Sequence, residues 1–196
     1  MTEFAREATL AIGLVTILLG SMWIATGSFP PMVVVESGSM MHEEEGSVGA
    51  IDPGDLVLVM NPDRVEIVTY VEATEEENEK FGYESHGKAG DVIIYRKNGG
   101  SDTPDIHRAL LKAVVNSSGG WDVPGTPLVN VDSITWTLDY ECSYHGGTYN
   151  LKIDRWEPNH EGYLTTGDNP DSNGCNIDQL RATNPEASAT YIRGNG

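Results

Sequence analysis

The sequence predicts a mainly β domain that is carried by a single N-terminal transmembrane α-helix. Two observations predict this class. No charged residue occurs between Glu7 and Glu36, and about 20 apolar residues are enough for a helix to span a bilayer. The rest of the chain contains short β-branched runs that are bounded by Gly, Pro, Asn or Asp, with no further long run of helical periodicity.

The N-terminal segment is predicted to be a retained membrane anchor over residues 1–29. Its apolar centre is Thr9–Ala25, and two consecutive prolines follow, which cannot continue a helix. A cleavable signal peptide is the alternative interpretation. Such a peptide begins with a basic region, whereas here Arg6 is outweighed by Glu3 and Glu7. The charge pattern therefore favours an anchor that stays on the protein.

Residues 30–196 are predicted to form one β-rich domain on the extracytoplasmic side. Its predicted strands are Met32–Val35, Asp55–Met60, Val65–Ala73, Asp91–Arg96, Arg108–Val115, Ser133–Leu138, Tyr149–Ile153 and Gly162–Thr166. The acidic run at residues 74–80 predicts a solvated loop or a short helix. Residues 116–161 are rich in Gly, Asn, Trp and Tyr, and they predict a loop-rich β insertion.

The charge balance restricts the classes of partner. The chain has 30 acidic and 12 basic side chains, and its formal net charge is −18. Nucleic acid is excluded because its phosphates would be repelled, and electrostatic binding to anionic lipid is excluded for the same reason. The excess charge predicts either a solvated acidic surface over the whole domain or an acidic loop.

The two cysteines and one asparagine leave alternatives open. Cys142 and Cys175 can form one disulfide outside the cytoplasm or remain as two thiols, and they lack the close spacing of a metal site. Asn116 begins a match to the N-glycosylation acceptor pattern.

Three short patterns carry candidate chemistry. Ser39 follows closely after the anchor, at a strand end, and a serine becomes a nucleophile only when a base accepts its proton. His107 opens an apolar run where a strand would hold it rigidly. The turn Gly167–Asn169 follows a predicted strand, and its aspartate is suited to orient a catalytic group. The candidate bases are His42, His86, His107, His145 and His160, of which His107 is the predicted one and His42 is interpreted as a loop residue.

The order of these patterns resembles type I signal peptidase, in particular its archaeal and endoplasmic-reticulum branch. The matching blocks are Val34–Met40, Gly54–Val59, Gly90–Tyr95, His107-Arg108 and Gly167–Asn169, followed by a further Asp. The bacterial branch carries Lys where His107 stands. The chain therefore resembles a Ser–His enzyme rather than a Ser–Lys enzyme.

The resemblance implies a role for each site residue. Ser39 would be the nucleophile, and His107 would act as general base and then as general acid. Asp178 would orient His107, and Asp168 would brace the site from its turn. The hydroxyl of Ser37, together with the backbone N–H of Ser39, would form the oxyanion hole.

The chain departs from the family pattern in two places. An acidic and Gly-rich insertion follows Met40, which puts the detail of the substrate groove in doubt. The spacing between Asp168 and the second Asp is longer than usual, so Asp171 stays open as an alternative to Asp178.

The implied activity is a membrane-bound serine endopeptidase that removes N-terminal signal peptides after small residues spaced as Ala-x-Ala. The substrate would lie extended along a strand edge near Met32–Glu36. The implied partners are preprotein signal peptides, membrane lipid and the protein translocation machinery, and no cofactor or metal is implied. The competing hypotheses are a membrane-anchored non-catalytic acidic binding domain and a Ser–Lys self-cleaving repressor-type protease.

Overall fold

The computed structural model describes residues 2–96, 103–142 and 147–180. His145 and the predicted domain's last residues, 181–196, lie outside these ranges. The described chain has one N-terminal apolar helix and several small antiparallel sheets. It divides into two compact units. The first is formed by the residues up to Glu36 together with Gly54–Glu66, and the second by Ser37–Pro53 and the residues from Ile67 onward.

The first unit begins with helix α1, Glu3–Thr26, which is long and apolar enough to cross a membrane. Its large apolar side chains are exposed, as they would be in a lipid-facing helix. The helix ends at Gly27, which adopts a left-handed conformation with φ of 72°. The Gly27 N–H donates to Trp23 O at 2.8 Å, and this bond satisfies one of the last carbonyls of the helix.

A small ribbon completes the first unit. Strand β1, Met32–Val34, pairs antiparallel with β2, Leu56–Leu58, and a 3-10 turn follows at Pro62–Arg64. The Arg64 guanidinium donates to Ile24 O at 2.6 Å, where the helix carbonyls have no partner within the helix. The 3-10 turn is therefore tied to the C-terminal end of α1.

The strand predicted at Val65–Ala73 is wrong. The second half of that segment belongs to helix α2, Tyr70–Thr74. The Thr69 side chain accepts from the Glu72 N–H, and the Glu72 carboxylate accepts from the Thr69 N–H at 2.9 Å. This capping box outweighs the β-branched composition, because it satisfies backbone donors at the start of a helix.

A four-stranded antiparallel sheet forms the centre of the second unit. Its strands are β5 Val92–Tyr95, β6 Asp105–Val115, β7 Trp121–Asp122 and β10 Gly162–Thr166. They run in the order β10–β6–β5, with β7 paired to the end of β6. A two-stranded ribbon of β3, Glu84–Ser85, and β4, Lys88–Ala89, precedes this sheet in the chain.

The region predicted as a loop-rich insertion contains two long paired strands. These are β8, Ile134–Glu141, and β9, Thr148–Trp156. Buried and exposed residues alternate along them, as expected for strands with one face in a core. Their inward residues join the main apolar cluster together with residues of β6. The two strands overlap the runs predicted as strands at Ser133–Leu138 and Tyr149–Ile153, and their aromatic residues form cross-strand pairs such as Tyr140 with Tyr149.

The cysteines form a disulfide, which decides between the two alternatives left open by the sequence. Cys142 follows β8, and Cys175 follows the short helix α3, Pro170–Asn173. The bond therefore connects the β8–β9 pair to the segment that follows β10. Asn116, the predicted acceptor for glycosylation, donates its Nδ2 to both carboxylate oxygens of Asp122 at 2.8 and 2.9 Å.

Candidate active site

Ser39 lies in a turn that is bonded to the segment after β10. The turn closes through Met41 N–H, which donates to Gly38 O at 3.2 Å. Asn169 holds the turn with two bonds, because its backbone N–H donates to Ser39 O at 3.0 Å and its Nδ2 donates to Gly38 O at 2.6 Å. The next residue, Met40, is completely buried. The turn is therefore anchored both by polar bonds and by an apolar side chain.

The hydroxyl of Ser39 lies beside a second hydroxyl. Its Oγ is 3.3 Å from Ser37 Oγ, and the Ser39 residue is 8% exposed. In the part of the chain that the structure describes, Ser39 Oγ pairs with Ser37 and makes no hydrogen bond to His107. Catalytic hydrogen bonds are often long in substrate-free enzymes and tighten when substrate binds.

Gly167 is the point where the Ser39 turn and the His107 ring approach each other. An ideal Cβ at this glycine would lie 2.6 Å from Ser39 O and 3.3 Å from His107 Nε2. No side chain fits at the first distance without displacing the Ser39 backbone. The glycine thus allows the close approach, and it shows that His107 Nε2 is directed to the side where Ser39 lies.

His107 is held by a buried carboxylate at its other nitrogen. It lies on β6, opposite Ile93 of β5, and it is 4% exposed. His107 Nδ1 donates to Asp178 Oδ2. Asp178 Oδ2 also accepts from Thr165 Oγ1 at 2.8 Å and from Tyr95 Oη at 3.0 Å. These donors fix the carboxylate, and the carboxylate in turn fixes the orientation of the imidazole.

Tyr95 is suited to remain a donor in this arrangement. Burial raises the pKa of its phenol, and the neighbouring Asp178 charge raises it further. The phenol therefore keeps its proton across the neutral range and can donate to Asp178.

Asp168 forms a second buried centre next to Gly167. Its carboxylate accepts from Arg108 Nε and Nη2 at 3.0 and 2.6 Å and from Tyr140 Oη at 2.5 Å. Arg108 is completely buried and also donates to Gly90 O at 2.6 Å. Burial by itself raises the pKa of Asp168, but the Arg108 charge and the bonds from His42 and Arg108 outweigh it, so the pKa lies well below its usual range.

The structure brings together the residues predicted for the site, in three groups. Ser37 is beside Ser39, Asp178 is against His107, and Asp168 is paired with Arg108 in the turn that holds Ser39. The two candidates for the second Asp differ in position. Asp178 contacts the imidazole, whereas Asp171 is an exposed residue in the first turn of α3.

Sequence reasoning missed three residues of the site. His42 was interpreted as a loop residue, but its Nε2 lies 2.8 Å from Asp168 Oδ2. Tyr95 and Thr165 were treated as strand residues, yet both donate to Asp178. Both residues lie in runs that predict strands, but only the register of those strands with β6 places them beside His107.

Two further observations concern metal ligands and relatives. Among the described residues, no group of three or more His, Cys, Asp or Glu side chains is arranged to hold a metal ion. No family model, no curated protein and no solved structure matches the chain.

The arrangement has the parts needed for nucleophilic acyl transfer. A hydroxyl lies on an anchored turn, and the imidazole that approaches the same side of Gly167 is oriented by a carboxylate. In such a group the imidazole can accept the hydroxyl proton while the carboxylate stabilises the imidazolium.

Proposed function

We propose that this protein is a membrane-anchored serine endopeptidase of the type I signal peptidase kind, which cleaves signal peptides from secreted and membrane preproteins. The observation that carries the proposal is the geometry at Gly167. The Ser39 backbone and His107 Nε2 both approach this glycine, and Asp178 holds the opposite nitrogen of the same imidazole. The order of the motifs in the sequence supports the same reaction class.

The proposed reaction follows from the positions of the protons. His107 Nε2 takes the proton of Ser39 Oγ as that oxygen attacks the carbonyl carbon of the scissile peptide bond. The imidazolium is stabilised by Asp178, and it then gives the proton to the departing amine nitrogen. A water molecule, deprotonated by His107, attacks the acyl-enzyme ester and releases Ser39 with its proton restored.

Ser37 is proposed to stabilise the oxyanion. Its hydroxyl lies 3.3 Å from the attacking oxygen, so it is close to where a tetrahedral intermediate would form. The backbone N–H of Ser39 is the second proposed donor. Loss of one donor of this kind typically costs about 2.7–4 kcal/mol of transition-state stabilisation.

Helix α1 supports the membrane part of the proposal. It would anchor the protein as a single-pass membrane protein with the catalytic domain on the extracytoplasmic side. The Cys142–Cys175 disulfide supports that side, because disulfides persist in oxidising compartments. Preproteins that carry an Ala-x-Ala cleavage site are the proposed substrates, presented at the membrane and by the translocation machinery.

The test uses the full-length chain, purified and reconstituted in lipid vesicles, with a preprotein that carries an Ala-x-Ala site. We expect Ser39→Ala and His107→Ala each to lower the cleavage rate by about 10⁴-fold or more, because each removes a group that bonds to reacting atoms. Mass spectrometry of the products locates the cleaved bond.

Two exposed residues of the same types provide matched controls. Ser117→Ala and His160→Ala should cleave at the wild-type rate, because both positions are exposed and lie outside the site. Wild-type cleavage by purified Ser39→Ala protein, or no cleavage by correctly folded wild-type protein, would contradict the proposed function.

A further inference from the structure

The residue three positions after the proposed nucleophile makes a polar contact with the site. His42 Nε2 donates to Asp168 Oδ2 at 2.8 Å, with the histidine side chain 16% exposed and the carboxylate completely buried. His42 is followed at once by the exposed residues Glu43–Glu45, which begin the acidic insertion. The contact thus lies at the border between the nucleophile turn and the insertion.

The nucleophile turn is consequently bonded at both of its ends. Before and at Ser39, the carbonyls of Gly38 and Ser39 accept from the amide groups of Asn169. After Ser39, His42 donates to Asp168. The two partners, Asp168 and Asn169, are consecutive residues of one turn. Both ends of the Ser39 segment are therefore hydrogen-bonded to the same short stretch of chain.

The turn that contains Asp168 is itself bonded to strand β6, which carries His107. Asp168 accepts from Arg108 Nε and Nη2, and Arg108 is the residue next to His107 on β6. A continuous set of contacts therefore runs from His42 through Asp168 and Arg108 to the strand position of His107. Every side chain between the two ends is buried, so displacement of one member has little room to be absorbed.

We propose that His42 is a positioning residue, which sets the distance between the Ser39 hydroxyl and His107 Nε2 through its bond to Asp168. The inference rests on the proposed role of Ser39 as nucleophile. His42 contacts no reacting atom, because its Nε2 is occupied by Asp168 and its Nδ1 faces Gly87, where an ideal Cβ would lie 3.3 Å away. It acts by keeping the insertion from moving the turn.

The kinetic test compares two substitutions at His42 in the full chain. His42→Phe keeps an aromatic ring but removes the donor, and it should lower kcat by about 10- to 100-fold with KM within about twofold, because a small misplacement of the reacting groups costs rate. His42→Gln keeps an amide donor at a similar reach and should stay within about threefold of wild type. His160→Gln, at an exposed histidine, is the control and should match wild type.

A second measurement does not depend on cleavage. In protein that carries Ser39→Ala, hydrogen exchange is followed at Met41 N–H, which closes the turn by bonding Gly38 O, and at Asn169 N–H, which bonds Ser39 O. His42→Phe should speed exchange at both amides by about tenfold or more, and His42→Gln should not. The thermal midpoints of these variants show whether any change is local or global.

The two measurements separate the possible failures. Unchanged exchange in His42→Phe, or an unchanged kcat for cleavage by that variant, overturns the positioning role. An equal loss of kcat in His42→Gln and His42→Phe also overturns it, because restoring the donor should restore the rate. If wild-type protein cleaves nothing while the exchange result is as expected, the tether stands and the proposed peptidase function fails.

Discussion

His107 and His42 each contact a buried aspartate in the same unit, yet the two pairs differ in their surroundings. Asp178, the partner of His107, accepts from the hydroxyls of Tyr95 and Thr165. Asp168, the partner of His42, is in addition paired with the permanently charged Arg108. The free sides of the two rings also differ, since His107 Nε2 approaches Gly167 beside Ser39 O, whereas His42 Nδ1 faces Gly87.

The comparison shows that a histidine–aspartate pair is not by itself a catalytic group. At Asp168, the buried Arg108 guanidinium already balances the carboxylate charge, so the main role of this carboxylate is as the partner of a buried cation. At His107, the second nitrogen is directed to the side of the proposed nucleophile. We therefore expect the loss of Asp178 to have the larger effect on rate and the loss of Asp168 to have the larger effect on stability, and the following predictions test that division.

The largest expected effect is on rate, from Asp178→Asn. The amide can donate where the carboxylate only accepts, so it favours the wrong tautomer of His107 and cannot stabilise the imidazolium. We expect kcat for preprotein cleavage to fall by about 10⁴-fold. The thermal midpoint should change less than in Asp168→Asn, because the hydroxyl donors keep an acceptor oxygen.

Asp171→Asn is the matched control for that variant. Asp171 was the other candidate for the second aspartate, but it is exposed on α3. Its substitution should leave kcat at the wild-type value. A large loss of rate in Asp171→Asn, with Asp178→Asn near wild type, would reverse the assignment of the two carboxylates.

The second largest expected effect is a loss of folding stability in Asp168→Asn. This change leaves the buried Arg108 guanidinium without its counter-charge, and breaking a buried ion pair on one side typically costs about 3–5 kcal/mol. Chemical denaturation of the variant measures the change in the free energy of unfolding. A destabilisation smaller than that of Asp178→Asn would break the proposed division of roles.

An exposed ion pair provides the reference for this measurement. Arg155 Nε lies 3.5 Å from Asp154 Oδ1, and the two side chains are 81% and 73% exposed. Asp154→Asn should leave the denaturation curve almost unchanged, because solvent screens such pairs.

The smallest expected effect is the part of the pH dependence of folding stability that comes from the Asp168 carboxyl group. Its pKa is lower in the folded protein than in the unfolded chain, so the unfolded chain binds the proton first. The stabilisation is complete above the unfolded value of about 3.9 and is lost as the pH falls toward the folded value. The thermal midpoint of wild type should therefore fall more steeply below about pH 4 than that of Asp168→Asn.

The other carboxylates titrate in the same range, so the measured quantity is the difference between the two curves. Parallel curves for wild type and Asp168→Asn down to the lowest reversible pH would contradict the lowered pKa. His160→Gln serves as the control that should follow wild type throughout.

Local patterns in the sequence predicted much of the described fold. The apolar segment Thr9–Ala25 lies inside α1, and the runs predicted as strands at Asp91–Arg96, Arg108–Val115 and Gly162–Thr166 correspond to β5, β6 and β10. The prediction of a strand at Val65–Ala73 was wrong, but the sequence contained a signal that could have corrected it. The Thr69–Glu72 spacing is a helix-start signal that can be recognised without a structure, and here it outweighed β-branched composition.

Sequence patterns also identified some residues of the candidate site and missed others. Ser39, His107 and Asp168 could be selected because each lies in a short pattern of recognisable chemistry. His42 could not, because its partner is 126 residues away and a histidine at the start of an acidic loop has no local signal of a role. Tyr95 and Thr165 were missed for a similar reason, since cross-strand register decides which residues of β5 and β10 lie beside His107.

The sequence by itself determined the apolar helix, the β-rich character of the rest of the chain, the acidic balance and the side chains able to do chemistry. These depend on composition and on periodicity over a few residues. The tertiary structure alone decided that Asp178 rather than Asp171 contacts His107, and that the cysteines are joined. It also decided that Arg108 pairs with Asp168, the partner of His42. Such choices depend on burial and on charges brought together from distant parts of the chain, and hydrogen-bond strength and pKa follow from that environment.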